Sequence, residues 1–409
     1  MIRFKQYLNE NKNLHMVHLE DAVIDDGVDG TRGAINFLRS LRDMLAGNAN
    51  APVSVSTKWD GAPAIFAGTD PSDGKFFIAK KGVFNKNPKI YKTTQEIDDE
   101  LSGDLADKFK TALTELSKIG IKGVIQGDFL YSKEDIKTDT IDGEPHITFH
   151  PNTIVYAVPK ASDLAKRILR SNIGVVWHTT YRGDSFETMS ATFGEEIASN
   201  LKTIDSVWSV DAVFQDNSGS ASFTRKETAS ITKILSDAGK VFKIVKKDAL
   251  EDLSRDSELN MRVNTFINKK VRAGERVGNP KRFTADLIAF IEEYYGKQAD
   301  KRKSEKGKTA QKEKMNSVLA YFDRHNPKDI ENIFIVYNHI VDAKHMIIDK
   351  MNQVDGLKTL LKTKDGYEVT GQEGFVAIDR LGKNTLKLVD RLQFSKANFS
   401  TDYIKGWQK

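Results

Sequence analysis

A single lysine lies between a β-branched strand and a glycine turn in the segment TKWDGAPAIFAG, residues 57–68. An amine attacks phosphorus only when it is deprotonated, and a lysine held at a strand end beside an Asp-Gly turn could be such a nucleophile. The pattern Lys-x-Asp-Gly also arises by chance, and Lys58 would then be an exposed side chain next to an ordinary turn. The residues that accompany Lys58 elsewhere in the chain have to distinguish these two interpretations.

Other common reactive arrangements are absent from the sequence. The chain has no cysteine, which excludes disulfides, thiolate zinc sites and cysteine nucleophiles and fits a reducing compartment. Its eight histidines show no ligand pair on one helix face together with a third ligand, so we assign structural or surface roles to all of them. Neither a Walker-type phosphate loop, nor a GxGxxG segment, nor a serine-hydrolase elbow occurs.

Six segments of the chain, taken in order, resemble the motifs of the covalent nucleotidyltransferase superfamily, which includes ATP-dependent DNA ligases, RNA ligases and mRNA-capping enzymes. KWDG, residues 58–61, resembles the first motif, whose lysine accepts the nucleotide. The later motifs are matched by FFIAKKGVFNK (76–86), VIQGDFLYS (124–132), NTIVYAVP (152–159), EGFVAI (373–378) and LKLVDR (386–391). The resemblance covers about residues 50–160 and 355–400, and the spacing of the last two motifs is typical of the RNA-ligase branch.

The resemblance implies that Lys58 forms a covalent bond to the nucleotide, and that Thr57, Asp60 and Gly61 lie against it. Glycine at position 61 would let the backbone turn close to the phosphates. Lys81 is the candidate for a position where the family usually has an arginine.

Residues further along the chain would complete the nucleotide site. Asp128, in place of the usual glutamate, would accept hydrogen bonds from the ribose hydroxyls. Tyr156 would cover the base, although a tyrosine on an apolar strand also suits the core. Glu373 would hold Mg²⁺, and Lys387 would offset charge on the α-phosphate. ATP and Mg²⁺ are therefore the cofactors that the resemblance implies.

Three positions depart from the family pattern. Pro63 stands where many DNA ligases have arginine, Asp128 replaces glutamate, and Val389 replaces the second lysine of the last motif. Each departure bears on whether every step of the reaction is retained.

The hydrophobic pattern and the resemblance together predict an α+β fold: a ligase-type nucleotidyltransferase domain with mainly antiparallel sheets and a large all-α insertion. Strand patterns are concentrated before about residue 190 and after residue 356, and long helical patterns lie between them. We divide the chain into an N-terminal helix with the first part of the nucleotidyltransferase domain (1–190), a helical insertion (191–353) and the last strands (354–409). Within the first part, helices are predicted over residues 31–47 and about 96–119.

The charge distribution bears on the partner. A net charge of +5 over 409 residues is modest, but residues 297–314, KQADKRKSEKGKTAQKEK, carry eight Lys or Arg and three acidic residues. Such a run is either a solvated helix end or an arm that contacts nucleic-acid phosphates. No apolar run is long enough to span a bilayer and the N-terminus does not resemble a secretory signal, so we expect no membrane and a cytoplasmic location.

The first ten residues, MIRFKQYLNE, place Phe4, Tyr7 and Leu8 at helical spacing. This peptide resembles the N-terminal peptides of proteins from T-even-like tailed bacteriophages, some of which direct proteins into the prohead and are cut after Leu-x-Glu or Ile-x-Glu. The segment Leu8-Asn9-Glu10 fits that pattern, and a plain amphipathic helix is the alternative. The resemblance implies a phage protein of the host cytoplasm that could be packaged in the virion with head components.

These observations predict an ATP-dependent polynucleotide ligase, nearer to RNA ligases than to DNA ligases, that joins 5′-phosphate and 3′-hydroxyl ends through lysyl-AMP. Nucleic acid, RNA rather than DNA, would be its partner, and its oligomeric state is left open. Two alternatives remain: an internal head protein that keeps the fold without turnover, and a nucleotidyltransferase that modifies protein or caps RNA. The enzyme interpretation requires Lys58, Asp128, Glu373 and Lys387 to meet in one cleft.

Overall fold

The computed structural model describes residues 18–47, 53–193, 195–214, 222–352, 357–379 and 385–408. The N-terminal peptide, residues 1–10, lies outside these ranges. Within them the protein is an α+β structure with mainly antiparallel sheets, as the sequence predicts. The strands are β1 (Val53–Lys58), β2 (Ala64–Thr69), β3 (Phe76–Ala79), β4 (Ile90–Tyr91), β5 (Val124–Ser132), β6 (Lys137–Ile141), β7 (Glu144–Phe149), β8 (Ile154–Pro159), β9 (Ile173–Arg182), β10 (Ser190–Phe193), β11 (Val207–Asp211), β12 (Lys358–Lys362), β13 (Tyr367–Val369), β14 (Gly374–Asp379) and β15 (Thr385–Leu388).

Helices occupy the middle of the chain and flank the sheets. They are α1 (Ala22–Asp25), α2 (Gly27–Leu45), α3 (Thr94–Glu100), α4 (Gly103–Leu116), α5 (Asp163–Arg170), α6 (Arg225–Ile244), α7 (Lys247–Arg255), α8 (Ser257–Arg272), α9 (Pro280–Asp300), α10 (Glu305–Arg324), α11 (Pro327–Met351) and α12 (Arg391–Phe399). The single helix predicted over residues 96–119 is wrong, because Gly103 adopts left-handed backbone (φ +59) and separates α3 from α4.

The helical segment is inserted between strands of the same sheets. Strand β12, which follows it, pairs with β8, which precedes it, and β14 pairs with β1 in the same way. The uninterrupted helices begin at Arg225, later than the predicted boundary at residue 191, because β10 and β11 still belong to a sheet with β9.

A three-stranded sheet in the order β1-β14-β15 carries Lys58, the first residue of the first motif, at the end of β1. Lys58 lies opposite Gly374, and Val376 lies opposite both Ser56 and Lys387. Alternate residues of these strands pack into a hydrophobic core with the helices of the insertion and with α2. Because side chains alternate along a strand, Ser56, Lys58 and Lys387 share the opposite face of this sheet.

A seven-stranded central sheet lies beside it, in the order β10-β9-β5-β2-β3-β4, with β11 parallel to β9. Helices α3 and α4 cover one face of this sheet through a second core. The segment after β11 joins the two sheets, because Thr57 N–H donates to Ala212 O at 2.6 Å and Phe214 N–H donates to Val55 O at 2.8 Å. A third sheet, β13-β12-β8-β7-β6, packs on α5 and on β5 residues.

A buried cluster of charges ties the helical segment to β15. Lys344 on α11 is 0% exposed and donates to both oxygens of Glu20, at 2.7 and 2.8 Å. Arg391, just after β15, donates to Asp21 at 2.6 Å and to Asn268 on α8 at 2.7 Å. Burial opposes the charge on Glu20, but the Lys344 ammonium lowers its pKa to about 2. The strand that carries Lys387 is therefore anchored to both the N-terminal and the inserted helices.

Candidate active site

Lys58 at the end of β1 meets Glu373 directly before β14. The antiparallel register places Gly374 opposite Lys58, which brings the preceding residue to the strand end. The Lys58 ammonium forms an ion pair with Glu373, and the two side chains are 27% and 12% exposed, respectively. The close approach expected of these two residues, which are far apart in the sequence, is therefore present.

Lys387 joins this pair from β15, on the same face of the sheet. Burial lowers the pKa of Lys387, and the charge on Lys58 lowers it further, whereas Glu373 raises it. The backbone of His18 forms an isolated parallel bridge to Lys387, so the N-terminal segment lies along the edge of β15. The single carboxylate of Glu373 thus interacts electrostatically with two lysines, Lys58 and Lys387.

Asp128 approaches Lys58 from β5 of the central sheet. Its side chain is 22% exposed. Burial raises the pKa of Asp128 to about 7, although the charges of Lys58 and Lys81 oppose the rise. Lys81 itself is exposed and lies in the 3-10 turn Lys81–Phe84 after β3. Of the residues expected to converge on Lys58, all three, Asp128, Glu373 and Lys387, lie within electrostatic reach of it.

Gly61 marks the point at which the loop after Lys58 passes over β5. A Cβ at this position would lie 2.5 Å from the Cβ of Asp128, a separation that real Cβ atoms do not show. Backbone bonds hold the approach, because Ala62 N–H donates to Phe129 O at 2.9 Å and Phe129 N–H donates to Pro63 O at 3.0 Å. Glycine is therefore needed here for the packing that brings Asp128 toward Lys58.

Asp60 is buried, and its carboxylate is occupied by the fold. It accepts from Asn152 Nδ2 and from the backbone N–H groups of Thr153 and Ile154, each at 2.6 Å. Its own backbone N–H donates to the Tyr156 hydroxyl at 2.7 Å. Burial raises the pKa of Asp60, while these hydrogen bonds lower it. Asp60 thus fixes the Lys58 loop to the start of β8, which is a positioning role.

Two residues expected to contact the nucleotide lie elsewhere. Tyr156 is 0% exposed, and its ring packs against Phe149 at 5.3 Å and Trp59 at 5.1 Å between centroids. It has no free face for a base and belongs to the core, the alternative considered for it. Because side chains alternate along β1, the Thr57 side chain lies on the face that carries Val55, opposite the face that carries Lys58.

His178 on β9 is a neighbour of the site that the sequence does not single out. Its Nε2 lies 3.8 Å from Asp128 Oδ2, and its Nδ1 lies 2.7 Å from Thr179 Oγ1. Burial and the charge on Lys58 lower the pKa of His178 to about 4, so the ring is neutral at pH 7. We assigned structural or surface roles to all histidines. The sequence feature that could have pointed to His178 is a polar imidazole within the largely apolar segment IGVVWHTTYR.

The electrostatics of the site favour a mobile proton. Burial raises the pKa of Glu373 to about 7, although the adjacent Lys58 ammonium lowers it and Asp60 and Asp128 raise it further. The pKa of Asp128 is also raised to about 7, so each of these two carboxyls near Lys58 can take up a proton close to neutral pH. Such an arrangement can accept the proton that an amine nucleophile must lose.

Glu373 is the residue that suits a metal. Mg²⁺ prefers oxygen ligands and is commonly held by one or two carboxylates together with substrate phosphates. In the described part of the chain no group of three or more His, Asp or Glu side chains could hold a metal by itself. A metal ion held at Glu373 would take its other oxygen ligands from the substrate, and it would neutralise charge on the phosphates.

The basic run of residues 297–314 forms the tip of a helical hairpin made by α9 and α10. Apart from half-buried Lys308, the basic side chains of this run are exposed. No ion pair among the described residues neutralises Lys301, Arg302, Lys303 or Lys306. Across the ranges that the structure covers, no helix is both long and apolar enough to cross a membrane.

Comparison with known proteins places the chain in one family. No curated protein and no solved structure matches it. Residues 13–403 match a family described as a family of unknown function, DUF6267, and the chain belongs to that family.

Proposed function

We propose that the protein is a ligase-type nucleotidyltransferase in which Lys58 takes AMP from ATP. The observation that carries the proposal is the ion pair between Lys58 and Glu373, with Lys387 and Asp128 arranged around it. A lysine that served only as a strand end would not need a carboxylate partner that is only 12% exposed and whose pKa is raised to about 7.

The first step forms a bond between Lys58 Nζ and the α-phosphorus, and it breaks the bond from that phosphorus to pyrophosphate. Glu373, as the partner of Lys58, is placed to accept the proton that Nζ loses. Lys387 offsets charge on the phosphate, and Asp128 accepts from the ribose hydroxyls. Mg²⁺ held at Glu373 would supply further charge neutralisation.

The second part of the proposal concerns the acceptor. A 5′-phosphate oxygen attacks the phosphorus of lysyl-AMP, the P–N bond breaks, and a 3′-hydroxyl then displaces AMP. Polynucleotide, RNA rather than DNA, is the proposed substrate, and the unpaired basic side chains at the hairpin tip support a polyanionic partner. The protein would act in a phage-infected cytoplasm, with packaging in the virion as a further proposal.

Labelled nucleotide tests the first step. The protein is incubated with α-labelled ATP or GTP and Mg²⁺, and label that survives denaturation is measured for wild type, Lys58→Ala and the control Lys86→Ala. Lys86 is an exposed lysine of the neighbouring motif. Label lost only in Lys58→Ala supports the proposal, whereas equal labelling of all three proteins, or none with either nucleotide, contradicts it.

Acceptors separate the candidate activities. Label that passes to single-stranded RNA with a 5′-phosphate indicates an RNA ligase, and transfer to a nicked duplex indicates a DNA ligase. Transfer from GTP to 5′-diphosphate RNA indicates capping, and transfer to protein indicates protein modification. Absence of any adduct favours the internal head protein, which recovery from purified particles would test.

A further inference from the structure

His178 owes its position to an irregularity in the central sheet. The pairing of β5 with β9 shifts between Gln126, which lies opposite Thr179, and Gly127, which lies opposite Trp177. His178 is left as the extra residue of a β-bulge. Bulges of this kind redirect a side chain and are common beside active sites. Here the redirected ring faces Asp128, at 3.8 Å from Nε2 to Oδ2.

The contacts of the ring select one neutral tautomer. Thr179 is 0% exposed, and its hydroxyl lies 2.7 Å from His178 Nδ1. If Thr179 donates to Nδ1, the buried hydroxyl proton is satisfied and the ring proton lies on Nε2, facing the carboxylate of Asp128. The other tautomer would leave the buried hydroxyl proton without this acceptor, and with Asp128 ionised it would direct two lone pairs at each other across the 3.8 Å gap.

We propose that His178 is a positioning residue, which donates from Nε2 to Asp128 and holds that carboxylate toward the ribose of the bound nucleotide. Thr179 fixes the tautomer of the ring. The 3.8 Å separation exceeds a hydrogen bond, and small side-chain rotations on nucleotide binding close it, as is common for hydrogen bonds that tighten in a complex. This inference rests on the proposed function, because it assumes that Asp128 contacts the ribose.

Ribose discrimination is a readout that a merely structural histidine would not change. The rate of adduct formation is measured with ATP and with 2′-deoxy-ATP and 3′-deoxy-ATP. Wild type is expected to prefer ATP over at least one analogue, and His178→Ala to lower that preference about tenfold, the effect of losing one hydrogen bond to a charged group. His178→Gln, which retains a donor near the Nε2 position, should restore part of it. The control is His339→Ala on helix α11 of the inserted segment, which should leave the preference unchanged.

Tautomer measurement at pH 8, where Asp128 is mostly ionised, tests the inference without turnover. Long-range ¹H–¹⁵N correlation, assigned by comparison with His178→Gln, should show the Nε2–H form in wild type and a larger Nδ1–H population in Thr179→Val. An Nδ1–H form in wild type overturns the inference, whether or not the protein is active.

The outcomes separate this inference from the proposed function. An adduct in wild type with an unchanged ATP preference in a folded His178→Ala overturns the role of His178 alone. Absence of any adduct in wild type overturns the proposed function, and the ribose role of His178 with it. Folding of each variant is checked by circular dichroism, and His178→Gln serves if His178→Ala does not fold.

Discussion

Replacing Glu373 by glutamine is expected to stabilise the free protein above pH 7 while it abolishes adduct formation. Burial raises the pKa of Glu373 from 4.5 to about 7, more than Lys58 can counteract. The folded protein therefore retains a proton that the unfolded chain releases. The stability contributed by this proton is complete below about pH 4.5 and is lost as the pH rises through about 7.

The size of the effect follows from this pKa rise. One pKa unit corresponds to about 1.4 kcal/mol, so a rise from 4.5 to about 7 costs the ionised protein at most about 3 kcal/mol. Glutamine has the shape of the protonated carboxyl and carries no charge. Since Lys58 loses its partner in the variant, we expect the free energy of unfolding at pH 8 to increase by about 1–3 kcal/mol, and to differ little from wild type at pH 5.

Chemical denaturation at pH 5, 6, 7 and 8, without divalent cations, measures this difference. Glu144→Gln is the matched control, because Glu144 is an exposed carboxylate and its replacement should change the free energy of unfolding little at any of these pH values. A Glu373→Gln protein that is less stable than wild type at pH 8 would contradict this expectation. It would mean that the ion pair with Lys58 outweighs the burial of the charge.

Three further predictions concern the anchor, the loop and the hairpin. Lys344→Met should lower the free energy of unfolding, measured by chemical denaturation, by about 3–5 kcal/mol, because Glu20 stays buried without its main partner. The double variant that also carries Glu20→Met should recover most of this loss. Gly61→Ala should lower stability and adduct yield because its Cβ would meet Asp128, whereas Gly33→Ala, with open space around it, should be neutral or slightly stabilising in the same assays. The hairpin variant replaces four basic residues by glutamine: Lys301, Arg302, Lys303 and Lys306. Titrations with single-stranded RNA at several salt concentrations should show that the slope of log K against log salt concentration becomes shallower by up to about 3. Adduct formation should remain unchanged. Unchanged stability of Lys344→Met, a fully active Gly61→Ala, or an unaltered salt slope would contradict the respective argument.

The strands that carry the motifs could be predicted because their pattern is local. The segments around Val53, Ala64, Val124 and Gly374 alternate or cluster β-branched and apolar residues, and each is a strand in the structure. The contact of Lys58 with Glu373 was expected from the resemblance of two motifs. No local property of either segment would have paired them.

Features that depend on pairing between distant strands could not be predicted. Strand β11 pairs in parallel with β9 across a connection with no local signal. The bulge that directs His178 at Asp128 exists only once β5 and β9 are in register. In the same way, Tyr156 becomes a core residue because Phe149 and Trp59 enclose it, which its own strand does not reveal.

Mapping the modified residue is the sharpest test of the proposal that Lys58 forms a covalent bond to AMP. The protein is incubated with ATP and Mg²⁺, denatured, and analysed by intact mass and by peptide mapping under conditions that preserve P–N bonds. We expect the mass of one AMP on the peptide that contains Lys58, and no adduct in Glu373→Gln. Absence of an adduct from wild type under these conditions, or an adduct on another lysine with Lys58 unmodified, would contradict it.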